Sequence, residues 1–141
     1  MGWLKGFIVA AAIALGSPAQ AQNQAQNIVC HDPLKPMLRI ELYFGRNAKG
    51  HQIVSDRQWA RFLAHELTPR FPDGLTVIEG RGQWHNGEDG AIAREHTKIV
   101  VIVTADADRV RARIATVVDA YKLHFDQKSV GVVIQPVCAA F

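Results

Sequence analysis

Nothing in the 141 residues is both apolar and long enough to cross a bilayer as a helix, which takes about 20 residues. The run from Phe7 to Leu15 falls well short of that. It follows Lys5 and leads through Gly16, Ser17 and Pro18 to the triplet Ala19-Gln20-Ala21, the layout of a secretory signal peptide cleaved after Ala21. Two further export features are missing. No small residue directly precedes Cys30 in "NIVC", which excludes lipid anchoring there. No twin arginine precedes the apolar run, so export of an unfolded chain is expected. The mature product is expected in the periplasm or outside the cell, without a membrane anchor.

A dominant charge is missing too. Lys and Arg number 16 against 13 acidic residues, a net +3, and loss of Lys5 with the signal peptide lowers it to +2. A surplus this small, spread along the chain, excludes nucleic acid as the expected partner. Cysteine is scarce: only Cys30 and Cys138, near the two ends of the mature chain. An oxidising compartment favours their pairing, and closing so long a loop is worth about 4–5 kcal/mol in chain-entropy terms. Neither has a neighbouring ligand cluster, so a zinc site built on them is not expected. Removing residues 1–21 leaves 120, enough for one domain with one core.

The motifs of well-known sites are absent or broken. "GRGQWHNGEDG", residues 80–90, gives G-x-G followed by His85 rather than a third glycine, and a hairpin follows where a dinucleotide loop needs a helix. A calcium loop with Gly90 as its sixth position would need acids where His85 and His96 stand. "HELTP", residues 65–69, starts like the zinc-protease helix but has Pro69 in place of the second histidine. His85, His96 and His51 lack a ligand spacing that brings in a third partner, and no serine lies in a nucleophile elbow. No metal and no cofactor is expected.

What is present is a regular alternation of elements. Residues 22–36 are a polar, proline-containing arm ahead of a single domain at 37–141. "MLRIELYF" alternates Leu38, Ile40, Leu42 and Phe44 with Arg39, Glu41 and Tyr43, a half-buried strand, and Gly45–Gly50 read as a loop. Ser55 with Gln58 forms a capping-box pattern, and Trp59, Phe62, Leu63 and Leu67 follow at helical spacing up to Pro69. A Pro-Asp-Gly turn leads to a second strand from about Leu75, in which Gly80 and Gly82 suggest a bulge. "TKIVVIV" is apolar on both parities, as in a central strand. Residues 105–125 form a helix with Val110, Ile114, Val117, Val118, Tyr121 and Phe125 on one stripe, and "SVGVVIQPV" is the last strand.

The order βαββαβ implies an α+β, ferredoxin-like fold: four antiparallel strands in the order 4-1-3-2 with both helices on one face. In that topology the start of the first strand and the end of the last are neighbours, so Cys30 and Cys138 can meet. The face without helices carries Val130, Val132, Ile134 or Val133, Val137 from the last strand and half of the central one. Apolar surface of that extent marks a partner face, and a homodimer through it is expected.

At the sheet end opposite the disulfide, Tyr43, Arg46, Arg81, Gln83, Trp84, Glu95 and Lys98 are expected to gather, with Glu41 one step inward. Guanidinium and ammonium groups beside a glutamine and an indole suit a small anionic or planar ligand, held by paired hydrogen bonds and stacking. The bland alternative is a salt-bridged, solvated sheet edge.

These residues lie in stretches that resemble a known family. "ELYFGR" (41–46), "VSDRQWARF" (54–62), "TPRFPDGLTVIEGRGQW" (68–84) and "REHTKIVVIV" (94–103) are similar to the signature of small secreted bacterial proteins grouped as domain of unknown function 3574. The resemblance implies a secreted bacterial protein and no particular activity. Its recognisable positions fall on Arg46, Trp59, Arg70, Gly74, Gly82, Gln83, Trp84, Glu95 and Lys98, with Thr97 where a serine is common. Two functions remain in view: a non-catalytic module binding a small ligand or a partner, and an enzyme free of metal and cofactor. The latter would use Glu95 or Glu41 as general base, with Arg46 or Lys98 stabilising an anion.

Overall fold

The computed structural model describes residues 28–48, 51–85, 90–105 and 107–141. The expected signal peptide and the tip of the 86–89 turn lie outside these residues. Strand β1 (Lys35–Gly45) is followed by a small hairpin, β2 (Asn47–Ala48) and β3 (His51–Gln52), then by helix α1 (Asp56–Phe62), which continues as a π-helical turn at Leu63–Leu67. Strands β4 (Thr76–His85) and β5 (Ile92–Thr104), helix α2 (Ala107–Phe125) and strand β6 (Gly131–Ala139) complete the chain. Apart from the added hairpin this is the expected βαββαβ fold. The sheet runs β4-β5-β1-β6, every neighbouring pair antiparallel.

Alternation along β1 decides the layers. Ile40, Leu42 and Phe44 are fully buried beneath the helices and share a core with Val100, Ile102, Val110, Ile114, Val117 and Tyr121. Trp59 and Phe62 of α1 bring that core's aromatic end together: the Phe44 ring lies 5.3 Å from Trp59 and 4.7 Å from Tyr121, and Phe62 lies 5.1 Å from Tyr121. Burial keeps the Tyr121 phenol neutral far above its ordinary range, and it donates to the Gly45 carbonyl at 2.9 Å.

The ends of α1 follow their local chemistry. Ser55 accepts from the Gln58 amide while the Gln58 side chain accepts from the Ser55 amide, the complete capping box. At the other end the Thr68 amide donates to the Leu63 carbonyl, the wider π-type bond, before Pro69 stops the helix. Arg70 then closes the terminus, donating to the Glu66 carbonyl at 2.7 Å and pairing with its carboxylate at 2.9 Å. Gly74, at φ +120°, makes the turn into β4.

Cys30 and Cys138 are bonded, with Cα atoms 5.6 Å apart and 108 positions apart in sequence. Pro36 stands opposite Cys138 in the β1–β6 register, the meeting of first and last strands expected from the topology. Strand β1 begins at Lys35, two residues earlier than its alternation suggests, because pairing with β6 continues to Ala139. The bulge expected at Gly80 and Gly82 is not there. Pairing with β5 runs unbroken from Thr76 to His85. The glycines serve side-chain room instead: a Cβ at Gly80 would come within 3.1 Å of Ile99 Cδ1, and one at Gly82 within 3.2 Å of Thr97 Oγ1.

Candidate functional site on the open sheet face

The sheet divides the expected cluster. Strand parity puts Glu41, Tyr43, Trp84 and Glu95 on the face without helices, whereas Arg81, Gln83 and Lys98 share the helix side with the buried Arg46. Gln83 and Trp84 stand opposite Arg94 and Ala93, not opposite Glu95 and Lys98. His85 and His96 are likewise apart along the hairpin, since Ile92 faces the first and Arg81 the second. Among the described residues no group of three or more His, Cys, Asp or Glu gathers as for a metal ion.

On the helix side Arg46 and Lys98 are engaged in holding the fold. Arg46, 4% exposed, donates through Nε to the Val54 carbonyl at 2.8 Å and pairs with Asp56 at 2.8 Å. Its own amide donates to the His96 carbonyl and its carbonyl accepts from Ile53 and Val54, so it ties β1 to the segment entering α1. Lys98, equally buried, reaches out to Glu79 and to Asp56, with its Nζ 6.0 Å from the Trp59 ring centroid. Both carboxylates are mostly solvated while the Arg46 and Lys98 side chains are only 5% and 8% exposed, so buried cations meet solvated acids at the rim. One terminal guanidinium nitrogen of Arg46 is buried without a hydrogen-bond partner among the described residues. Arg81 and Gln83 are exposed on the same side of the edge strand.

The open face has a different character. Gly45, Gly80 and Gly82 flank Thr97 and Glu95 on β5, and their lack of side chains lets neighbours lie flat on the sheet. Glu95 occupies the notch above Gly45, where a Cβ would sit 2.5 Å from Oε2. Burial raises the Glu95 carboxyl above its ordinary value, while a hydrogen bond from the Asn47 amide works the other way. Thr97 beside it is buried. Along β1, Glu41 accepts from the Tyr43 hydroxyl and from Arg39 Nε at 2.9 Å; these two bonds hold its carboxyl below the usual range. The same bond pushes the Tyr43 phenol up.

Apolar surface frames these polar groups. Ile78 (45% exposed), Trp84 (47%) and Val133 (43%) join the half-buried Ile99, Val101 and Val103. The site is thus a shallow shelf with an indole at one end, a buried hydroxyl and a desolvated acid in the middle, and an ionised, hydrogen-bonded acid beyond. Two concave features lie elsewhere: an open groove of about 330 Å³ along β4 between Glu79, Gly80, Arg81 and His96, and one of about 320 Å³ between the helices, lined by Arg61, Phe62, His65, His124 and Phe125 among others. Sequence reasoning missed Gly45 and undervalued Thr97. The only signal for Gly45 was its place opposite Thr97, which requires the strand register.

A profile described as "Protein of unknown function (DUF3574)" matches residues 39–141, and the chain belongs to that family. No curated protein matches it in sequence. Among solved structures, a phage SAM lyase in complex with S-methyl-5′-thioadenosine is similar with a TM-score of 0.58 at 14% identity, over 73% of this chain and 90% of that one. The same kind of enzyme in its apo state gives 0.55 at 13% identity, over 73% and 84%. At these identities the likeness is one of fold.

Proposed function

We propose that the protein is an exported, non-catalytic binding module whose open sheet face receives a small planar ligand between Trp84 and Glu95. The disulfide and the absence, among the described residues, of a helix long and apolar enough to cross a membrane agree with export directed by residues 1–21. The observation that carries the ligand reading is the shelf itself. Three glycines clear a flat floor, Trp84 offers half of its indole to solvent, and Glu95 and Thr97 supply hydrogen bonds from a partly desolvated position. The anionic ligand expected from the sequence requires Arg46 and Lys98, which lie on the far side of the sheet with carboxylates already in place. A neutral planar compound with donor groups suits the shelf better. That a similarly folded protein holds S-methyl-5′-thioadenosine makes this nucleoside the first probe.

A screen of planar metabolites by thermal shift, S-methyl-5′-thioadenosine included, tests the reading. Hits should lose about tenfold or more in affinity with Trp84→Ala, the scale of one stacked ring. Hits insensitive to Trp84→Ala and Glu95→Gln would place binding elsewhere.

The raised Glu95 carboxyl favours a second reading, an acid–base enzyme with Glu95 as the proton carrier. Glu41 is poorly suited to that role, because its bonds to Tyr43 and Arg39 favour the ionised form. Arg46 and Lys98 stand across the sheet from Glu95, so anion stabilisation would have to come from other groups. Turnover abolished by Glu95→Gln would establish this reading. The apolar remainder of the face, Val101, Val103 and Val133, is suited to a protein partner, and a face-to-face homodimer would cover the shelf.

A further inference from the structure

The two edges of the sheet are treated differently. The Arg46 amide donates to the His96 carbonyl, so even-numbered residues of β5 turn their backbone groups toward β1 and odd-numbered ones toward β4. Registers then fix the edges. In β6 the even positions face outward, among them Pro136, which has no N–H to offer. In β4 the odd positions face outward: Val77, Glu79, Arg81, Gln83 and His85, with no proline across the ten residues. One edge is blunted and the other is left open for pairing.

We propose that β4 is the docking edge for a second copy of this chain, paired antiparallel about a two-fold axis at Gly80. The strand is self-complementary in that register. Glu79 falls opposite Arg81 of the second copy and Arg81 opposite its Glu79, both on the helix side, forming two ion pairs. Arg81 is exposed and takes part in no ion pair among the described residues, and Glu79 is 66% exposed despite its bond to Lys98. Moving the axis by one residue sets Arg81 against Arg81 or Glu79 against Glu79, which like-charge repulsion disfavours. On the open face the same register lays Ile78, 45% exposed, over Gly82 of the second copy and diagonal to its Trp84.

The consequence reaches the shelf. Gly82 pairs with Glu95 on its other side, so Ile78 of the second copy would form the outer wall beside Trp84. That last step rests on the ligand reading above; the pairing itself does not.

Sedimentation of the mature, oxidised chain from micromolar to millimolar concentration tests the pairing without any ligand. The expected result is a dimer. Arg81→Glu, which turns both ion pairs into repulsions, should weaken it by about tenfold or more. Gln83→Pro removes one outward N–H while leaving the β5 ladder intact, and should do the same. Circular dichroism of both variants, and their melting at concentrations low enough to keep all three proteins monomeric, should match the parent, since neither side chain is buried. A parent that stays monomeric, or a dimer unaffected by both variants, would overturn the proposal; neither outcome touches the ligand shelf, which the screen examines separately.

Discussion

Glu95 is the residue on which the open face turns. Its carboxylate fills the space that Gly45 leaves and is partly withdrawn from water, so the folded state holds its proton to higher pH than the unfolded state does. The sign follows from linkage: the contribution is favourable below the ordinary carboxylate value of 4.5 and is lost as pH rises through the higher folded value. Glu95→Gln keeps the shape without the charge. Its melting temperature should exceed the parent's at neutral pH, and the two should converge in acid. Gly45→Ala should push the carboxylate into solvent and flatten the parent's pH dependence in the same range. A parent and a Glu95→Gln protein with parallel melting curves across that range would show that Glu95 is solvated. The resemblance pointed to Glu95 and Trp84 together with Arg46 and Lys98, yet only register separates the two pairs, and register is a property of partner strands. A list of residues at one sheet end says nothing about which face each one uses.

Among the elements, α1 was the most legible. Its start is written locally in Ser55 and Gln58, and both bonds of the capping box are made. Ser55→Ala should cost about 1 kcal/mol of stability, measured by denaturant unfolding, with little change in ligand response. The π-turn at Leu63–Leu67 carried no comparable mark, and neither did the β2–β3 hairpin. Asn47 and Gln52 pair because Arg46 anchors Ile53 and Val54, a constraint that reaches across the loop. The four long strands were legible from alternation and apolar runs, and their order followed from the connection pattern. The expected bulge failed for an instructive reason: Gly80 and Gly82 are spaced by two, so both vacate the same face of a regular strand. Glycine at strand spacing here marks room for neighbours on that face rather than a break in pairing.

At the scale of the molecule, a single core on one face and a flat, partly apolar surface on the other follow from placing both helices on the same side. The Cys30–Cys138 bond closes this frame across 108 positions, and its reduction should lower stability by up to about 4–5 kcal/mol, read as a shift in the urea midpoint. With Arg46 and Lys98 committed to Asp56, Glu79 and the Val54 carbonyl, the open face is the surface proposed for ligand recognition. The most direct test is a calorimetric titration of the best thermal-shift hit into the parent, into Trp84→Ala and into Arg61→Ala, the last in the groove between the helices. Binding lost in Trp84→Ala and kept in Arg61→Ala is the predicted result. Binding kept in Trp84→Ala and lost in Arg61→Ala would contradict it.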